Sequence, residues 1–438
     1  MNRSVTRHRA RRGAVLVLVM WLLLIVGLLA LGLSQSARVS ASLGYGEVER
    51  VQARWLARAG VEQAVAALAF DGIGGDDGRG DLWYDSPEMF EDVALATDFT
   101  FRVTAPSFED AEDASAPRFG LDDEASRVSV NAERPRQFRR IPDIETAQAD
   151  AILDWLDNNE AARPGGAERG YYSQLDFPYL IRNSAFRTHR ELLLVRGIDA
   201  EAFFGEDGDL DGVLDRAEND GDESWPADTP DRTLELGLAG YTSVYAYELN
   251  TDPLGAPRID LSETDTDTLI EQFNFTPALA EAVVEAGRSA DNLFDFVGTR
   301  GDGEIEDEQQ IDEITIEWLA DFWEYLTLEE DERLPGKVNV NTASRAVLET
   351  IPRMSANMAE DIISYRSSQG SFTGVGELYS GNVLTRRQFE RVAPFVTVRS
   401  NVFRVVSEGR TPSGTRYAVA AVIDRGGDQP VILDWRQP

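Results

Sequence analysis

Twenty consecutive positions, Ala14 to Leu33 (AVLVLVMWLLLIVGLLALGL), carry no charge. As a helix rising about 1.5 Å per residue, the run spans about 30 Å, the thickness of a bilayer core. Arg3, Arg7, Arg9, Arg11 and Arg12 precede it without an acidic residue. That bias predicts a cytoplasmic N-terminus and places everything after Leu33 across the membrane. The run is too long for a cleavable signal core, and no A-x-A-like site flanked by polar residues follows it. Proline is absent until Pro87. Val51, Trp55 and Ala59, then Val61, Val65 and Leu68, make an apolar stripe at helical period between Arg50, Arg54, Arg58 and Glu62. The pattern predicts one long helix over 14–70, half in the membrane and half packed on a soluble domain. Gly44 and Gly46 mark a place where it could kink.

Further along, GIGGDDGRGD opens residues 71–97, which read as an exposed loop. It is no phosphate cradle, since no strand precedes it and no Lys-Ser/Thr follows. Alternation predicts short strands at Phe99–Val103 and Arg127–Asn131. A weak repeat then emerges: RVSVNAE at 127, RIDLSETDTDTLIEQF at 258 and KVNVNTASRAVLETIP at 337 each set a short strand before a polar turn. In the third copy Thr342 or Ser344 can cap a helix over 346–351, and a tight Pro352–Ser355 connection leads to a second over 356–365. Such a unit is similar to a helix-hairpin-helix module. Three alternating runs end the chain, from Phe403 to Arg410, Tyr417 to Asp424 and Val431 to Trp435, joined by glycine-containing turns.

Composition narrows the chemistry. The 438 residues hold no cysteine, two histidines, and 42 basic against 77 acidic residues, a net −35. Thiol nucleophiles, disulfides and iron–sulfur clusters are excluded, and His8 with His189 cannot furnish a histidine-rich metal site or a Ser-His-Asp triad. No pair of carboxylates is set apart for acid–base work, so no enzyme is expected. Asp154 and Asp157, i and i+3 beside Trp155, read as the solvent edge of a helix. Asp302, Glu304 and Glu306 have no loop register and read as solvated.

One constellation stands out. In DGDLDGVLDRAE, acids occupy positions 1, 3, 5, 9 and 12 with glycine at 6 for the sharp turn. Calcium takes six or more hard oxygen ligands. This spacing offers Asp207, Asp209, Asp211, the Val213 carbonyl, Asp215 directly or through water, and Glu218, with Leu214 apolar between them. Phe203-Phe204 can end a preceding helix, but Gly221 and Pro226 interrupt a following one, so a single loop is expected. Asp220 and Asp222 could add a ligand.

Several of these residues resemble a known family. Arg12-Gly13 before the apolar run resembles a type IV prepilin cleavage site, which implies cutting after Gly13 and a mature N-terminus at Ala14. Most pilins carry glutamate at the fifth mature position, where this chain has Leu18. That departure resembles minor pseudopilin K of type II secretion systems. WLARAGVE at 55–62, ILDWLD at 152–157, RPGGAE at 163–168, Tyr171-Tyr172, ELLLVRGI at 191–198 and the C-terminal meander are similar to the same family. The resemblance implies an α+β fold of pilin type: a long N-terminal helix, a small antiparallel sheet and a large helical insertion of helix-hairpin-helix or SAM-like units. It implies five segments: a leader (1–13), the long helix (14–70), the first part of the sheet (71–131), the helical insertion with the calcium loop (132–335), and a helix-hairpin-helix unit with the last strands (336–438). It further implies a calcium-binding, filament-tip subunit in the inner membrane with its folded domains in the periplasm. Its partners would be I- and J-type minor pseudopilins, the major pseudopilin and prepilin peptidase.

Two other readings use the same residues. A membrane-tethered helix-hairpin-helix protein could bind DNA, since residues 337–398 hold seven basic and five acidic residues. Arg353-Met354-Ser355 nevertheless stands where a phosphate-binding hairpin wants glycine, so no nucleic-acid partner is expected. A calcium-stabilised adhesin on a plain anchor is the other. The charge is also uneven: residues 71–124, 199–235 and 300–333 carry −13, −12 and −12, and read as three acidic insertions on a nearly neutral scaffold, with 205–260 and 300–335 as variable segments.

Overall fold

The structure, a computed structural model, describes residues 11–72, 74–106, 117–132, 134–221, 223–302 and 309–437, with side chains from Val15 onward. Arg3, Arg7, Arg9, Asp222, Glu304 and Glu306 lie outside the described residues. Helix α1 runs unbroken from Arg11 to Asp71, through Gly44 and Gly46 without the kink that those residues allow. Its first half is exposed, long and apolar enough to cross a membrane once. The second half packs on a sheet, and the expected stripe holds from Ala59 to Leu68 but not at its start. Val51 and Trp55 stay exposed, while Ala53, Leu56, Ala57, Val61, Ala64 and Leu68 are buried. Small residues win because the contact is close. A Cβ on Gly60 would stand 2.1 Å from Ser407 Oγ, and one on Gly409 2.1 Å from the Ala53 carbonyl oxygen. An indole cannot occupy such a face.

After α1 the chain forms β1 (Val93–Ala96), β2 (Phe99–Thr104) and β3 (Asp122–Asp123). Residues 71–97 are therefore not a free loop. They hold β1 and a short helix, Pro87–Phe90, and they bury Trp83 and Phe90 completely. Trp83 meets Phe403 edge-on at 4.8 Å, and buried Asp77 pairs with Arg425. Two large aromatic rings outweigh the local glycine and charge.

The weak repeat becomes three closed units. β4 (Val128–Ser129) pairs in parallel with β5 (Thr242–Ser243), after which comes β6 (Tyr247–Leu249). β7 (Ile259–Asp260) pairs in parallel with β8 (Leu326–Thr327), followed by β9 (Arg333–Pro335), the antiparallel partner of β6. β10 (Val338–Asn339) pairs in parallel with β11 (Val396–Thr397). Each unit thus opens on a strand of the repeat and closes on a two-residue strand beside it, with helices between. The strand expected over 127–131 shrinks to two residues because Val130–Ala132 turns into a 3-10 helix. In the third unit Ser344 caps the helix Arg345–Thr350 by accepting from the Val347 N–H, whereas Thr342 donates to Asp123 at 2.5 Å. The next helix, Ala356–Gln369, runs four residues past its expected end.

The chain ends with β12 (Val402–Arg410), β13 (Arg416–Asp424) and β14 (Val431–Arg436), the expected meander. They complete an antiparallel sheet in the order β1-β2-β12-β13-β14, with β3 also on β12. The fold is α+β. One apolar core lies between α1 and the sheet, centred on Phe101, Leu121, Phe403 and Ile423; another runs continuously through the three units. Segment 300–333 is not a simple insertion, since its helix Ile316–Phe322 and Trp323 sit in that second core. Its buried Glu324 pairs with Arg258 at 2.8 Å and Arg399 at 2.5 Å.

Candidate metal centre

The acidic loop leaves the helix Ala200–Phe204, which Asp199 caps and Gly205 ends with φ +61°. Among the described residues the next helix after the loop begins only at Leu238. Within the loop, carboxylates fold the backbone around themselves. Asp207 accepts from the N–H groups of Asp211 and Gly212, both at 3.1 Å, and Asp211 accepts from Val213 at 2.8 Å. Glu218 spans both ends, accepting from Gly208 at 2.9 Å and Asp215 at 3.2 Å. Asp215 turns to the N–H of Ala217 at 2.6 Å. Gly212 has φ +70°, and a Cβ there would stand 2.5 Å from Pro106 Cβ, so the sixth position is glycine both for the turn and for its docking beside the sheet. Leu210 and Leu214 anchor the loop from below.

The loop brings ligand oxygens of Asp207, Asp209 and Asp211 within 4.8 Å of one another. Burial and then the charge of Asp209 raise Asp207 to about 6. Burial with Asp209 and Asp207 raises Asp211 to about 8, and burial with Asp207 raises Glu218 to about 8. Burial and mutual repulsion outweigh the pull of Arg404 on Asp207 and of Arg436 on Asp209, leaving hard oxygen donors whose charge a divalent cation neutralises. These three carboxylates are hard oxygen donors of the kind calcium takes, and Asp215 and Glu218 lie outside their group. Asp220 accepts instead from Ser224 in a turn of its own.

A second carboxylate group went unread in the sequence. Asp154, Asp157 and Glu168 offer oxygens within 4.8 Å of one another. Asp154 is fully buried, not at a solvent edge. The turn 163–168 folds back over the helix Thr146–Leu156, and a Cβ on Gly166 would fall 1.9 Å from Asp154 Oδ2. Arg163 Nη1 donates to Asp154 and to Asp157, both at 2.6 Å. Both oxygens of Glu168 are buried without a hydrogen-bond partner, and burial followed by Asp154 and Asp157 raises this group to about 7. One arginine serves three carboxylates, so this pocket too has the chemistry to hold a cation. The signal was the pair of glycines in RPGGAE, which lets the turn close over Asp154.

At the other end of the molecule, Gly13 and Ala14 lie in the first turn of α1, and Leu18 is exposed on it. The hairpin Pro352–Ser355 is engaged by the protein itself: Arg140 donates to the carbonyls of Ile351 at 2.7 Å and Met354 at 2.9 Å, and Met354 is buried.

With this geometry in place, residues 131–204 match the family model of type II secretion system protein K, and residues 335–397 match the helix-hairpin-helix motif. The first match falls within the first unit and the second spans the third. Among solved structures it is similar to a chain of the GspK-GspI-GspJ complex from the enterotoxigenic Escherichia coli type 2 secretion system, with 11% identity, a TM-score of 0.47, and coverage of 92% of this chain and 99% of that one. A search of curated proteins finds no match.

Proposed function

We propose that this protein, with its protein K domain and its single membrane-length helix, is a minor pseudopilin of a type II secretion system and serves a structural role at the tip of the pseudopilus. The observation that carries this reading is α1. A single unbroken helix joins a membrane-length apolar run, directly after Arg12-Gly13, to a sheet that it contacts through Ala53, Leu56, Ala57, Gly60, Val61 and Leu68. A subunit that stays in the membrane until it is extracted into a filament requires that continuity. Leucine at position 18 leaves no carboxylate to meet a neighbour's terminal amine, which suits a subunit with nothing above it. The mass of the three units likewise suits a cap better than a repeating element.

In this reading prepilin peptidase cuts between Gly13 and Ala14, the N-terminus is cytoplasmic, and the sheet and units lie in the periplasm beyond the inner membrane. The partners are I- and J-type minor pseudopilins, as in the complex named above, and the major pseudopilin. Co-expression with those two minor pseudopilins and purification through a tag on this chain should recover all three together. Recovery of this chain alone under the same conditions would overturn the assignment.

Calcium belongs to the same proposal. Asp207, Asp209, Asp211, Val213, Asp215 and Glu218 would hold it, and the ion would supply structural charge compensation with no reaction to perform. Calcium titration should show saturable binding that Asp207→Ala with Asp211→Ala weakens at least ~10-fold, a loss of about 1.4 kcal/mol. Equal binding by wild type and variant would sink the assignment to this loop.

A further inference from the structure

The sheet face turned away from α1 meets the first unit along a seam, and at the β14 end of that seam the two leave a cavity of about 190 Å³. His189 and Arg190 enter it from the unit, Tyr245 from the chain after β5, and Arg404, Asp434 and Arg436 from the sheet. The strand register explains the convergence. Arg404 lies opposite Val422, and Val422 opposite Asp434, so the side chains of all three leave the same face.

The charges do not cancel. Arg404 is satisfied by Glu124 at 3.0 Å. Among the described residues Arg436 has no ion pair or hydrogen bond, and Arg190 makes only a ring contact with Phe204, at 5.9 Å. Asp434 pairs with neither. Glu124 is taken by Arg404, while Asp434, Glu124 and Asp209 act on Arg436 only at longer range, so Arg436 and Arg190 are left without an ion pair. Half-buried Arg436 is lowered to about 10, by burial first and then by Arg404 and Arg190. Unpaired convergent arginines offer fork-shaped donors suited to the oxygens of an anion.

His189 adds selectivity. It is buried, its Nε2 lies 2.9 Å from Thr242 Oγ1, and its Nδ1 is buried without a partner. Thr242 spends its hydroxyl proton on the Leu238 carbonyl at 2.6 Å, so it accepts from His189 Nε2–H. That assigns the tautomer and leaves Nδ1 as a lone-pair acceptor on a ring that lines the cavity. The ligand that completes this set presents acceptor oxygens to the arginines and one O–H to the imidazole. Phosphate at neutral pH has both. Sulfate has no proton to give, and carboxylates have only two oxygens.

We propose that this cavity is a binding site for a hydrogen phosphate group that ties the last strand of the sheet to the first helical unit. The inference is independent of the pseudopilin reading. It is tested by calorimetric titration of the full-length chain in detergent at pH 7.5, with ionic strength held constant by chloride. The ligands are inorganic phosphate, glycerol 3-phosphate, sulfate and succinate. The expected result is saturable one-site binding of phosphate, at least ~10-fold weaker binding of sulfate and succinate, and loss of at least ~10-fold in phosphate affinity for Arg436→Gln. Arg190 is exposed, so Arg190→Gln leaves the fold intact and should weaken phosphate too, whereas Arg386→Gln, far from the cavity, should not. Glycerol 3-phosphate is a dianion without a phosphate O–H at this pH and should bind at least ~10-fold more weakly than phosphate; equal or tighter binding would overturn the role given to His189. Absence of saturable phosphate binding, sulfate binding as tightly as phosphate, or unchanged affinity in both the Arg190 and Arg436 variants would each overturn the proposal. The sulfate comparison needs no variant, so a misfolded mutant cannot obscure the result.

Discussion

The two faces of the sheet are built on opposite principles. Toward α1 the side chains are apolar and closely fitted: Phe101, Val103, Phe403, Val405, Val419 and Ile423 share a core with Leu56, Ala57, Val61, Ala64 and Leu68 of the helix. Toward the three units the same strands set charge around a small apolar patch, Val402 and Val422 against Tyr247. Arg404 is held by Glu124, Tyr247 donates to Asp424 at 2.5 Å, and Asn339 of the third unit donates to Asp123 at 3.0 Å. An apolar face tolerates small shifts in the position of its partner, since burial has no direction. A face of paired charges accepts one geometry only, because any slip leaves a buried ion unpaired. The helix side therefore supplies cohesion, and the unit side supplies registry between sheet and units.

That contrast can be broken from either side. The largest effect should come from Phe403→Ala, which opens a cavity beneath Trp83 and should cost about 4 kcal/mol in denaturant unfolding. A loss below about 1 kcal/mol would mean that the helix face is not the main source of cohesion. Next is Glu124→Gln, which strands Arg404 and should cost about 3 kcal/mol at neutral pH. Burial opposes ionisation of Glu124, but Arg404, Arg127 and the Ser243 hydroxyl outweigh it and hold the carboxyl below its ordinary range. A depressed carboxyl contributes its stability in full above its unfolded pKa, near 4.3, and loses it as pH falls through the folded value. The gap between wild type and Glu124→Gln should therefore close as pH drops below about 4. A gap that persists unchanged in acid would contradict the ion-pair account.

Smaller effects probe the edges of the seam. The calcium loop docks beside it, with Gly212 against Pro106. Calcium at about 100 times its dissociation constant should add about 2.7 kcal/mol. EDTA should lower the melting temperature of wild type and leave that of Asp207→Ala with Asp211→Ala unmoved; an EDTA-insensitive wild type would refute the loop. The smallest effect is expected at Trp55, exposed on α1 away from the sheet. Trp55→Ala should change stability by less than about 0.5 kcal/mol, so any assembly defect in that variant reports on a partner and not on the fold.

The apolar face was the more legible one in the sequence. Alternation over 403–410, 417–424 and 431–435 marks its strands to within a residue, and the membrane run marks the helix. What alternation cannot mark is which stripe of α1 is buried. Trp55 and Val51 are exposed, yet Ala53, Ala57 and Gly60 take the sheet beside Leu56, Val61 and Leu68, because closeness of approach is a property of two surfaces together. The polar face was nearly invisible. Glu124 and Arg404 are 280 residues apart, so in the sequence each is one charge among many. The repeat strands at 127, 258 and 337 were visible, but their parallel closing partners at 242, 326 and 396 are two residues long and carry no pattern of their own. For the candidate site, the 207–218 loop was readable because its ligands are local. Asp154 with Glu168 was not, because its meaning depends on a turn folding back over a helix.

Prepilin processing tests the central claim most directly. Intact-mass and N-terminal analysis of the membrane-extracted chain, with prepilin peptidase present and absent, reads the start of the mature protein. The pseudopilin account predicts a chain beginning at Ala14 when the peptidase is present and the uncut leader when it is absent. A mature chain beginning anywhere else, or the same start under both conditions, would contradict it.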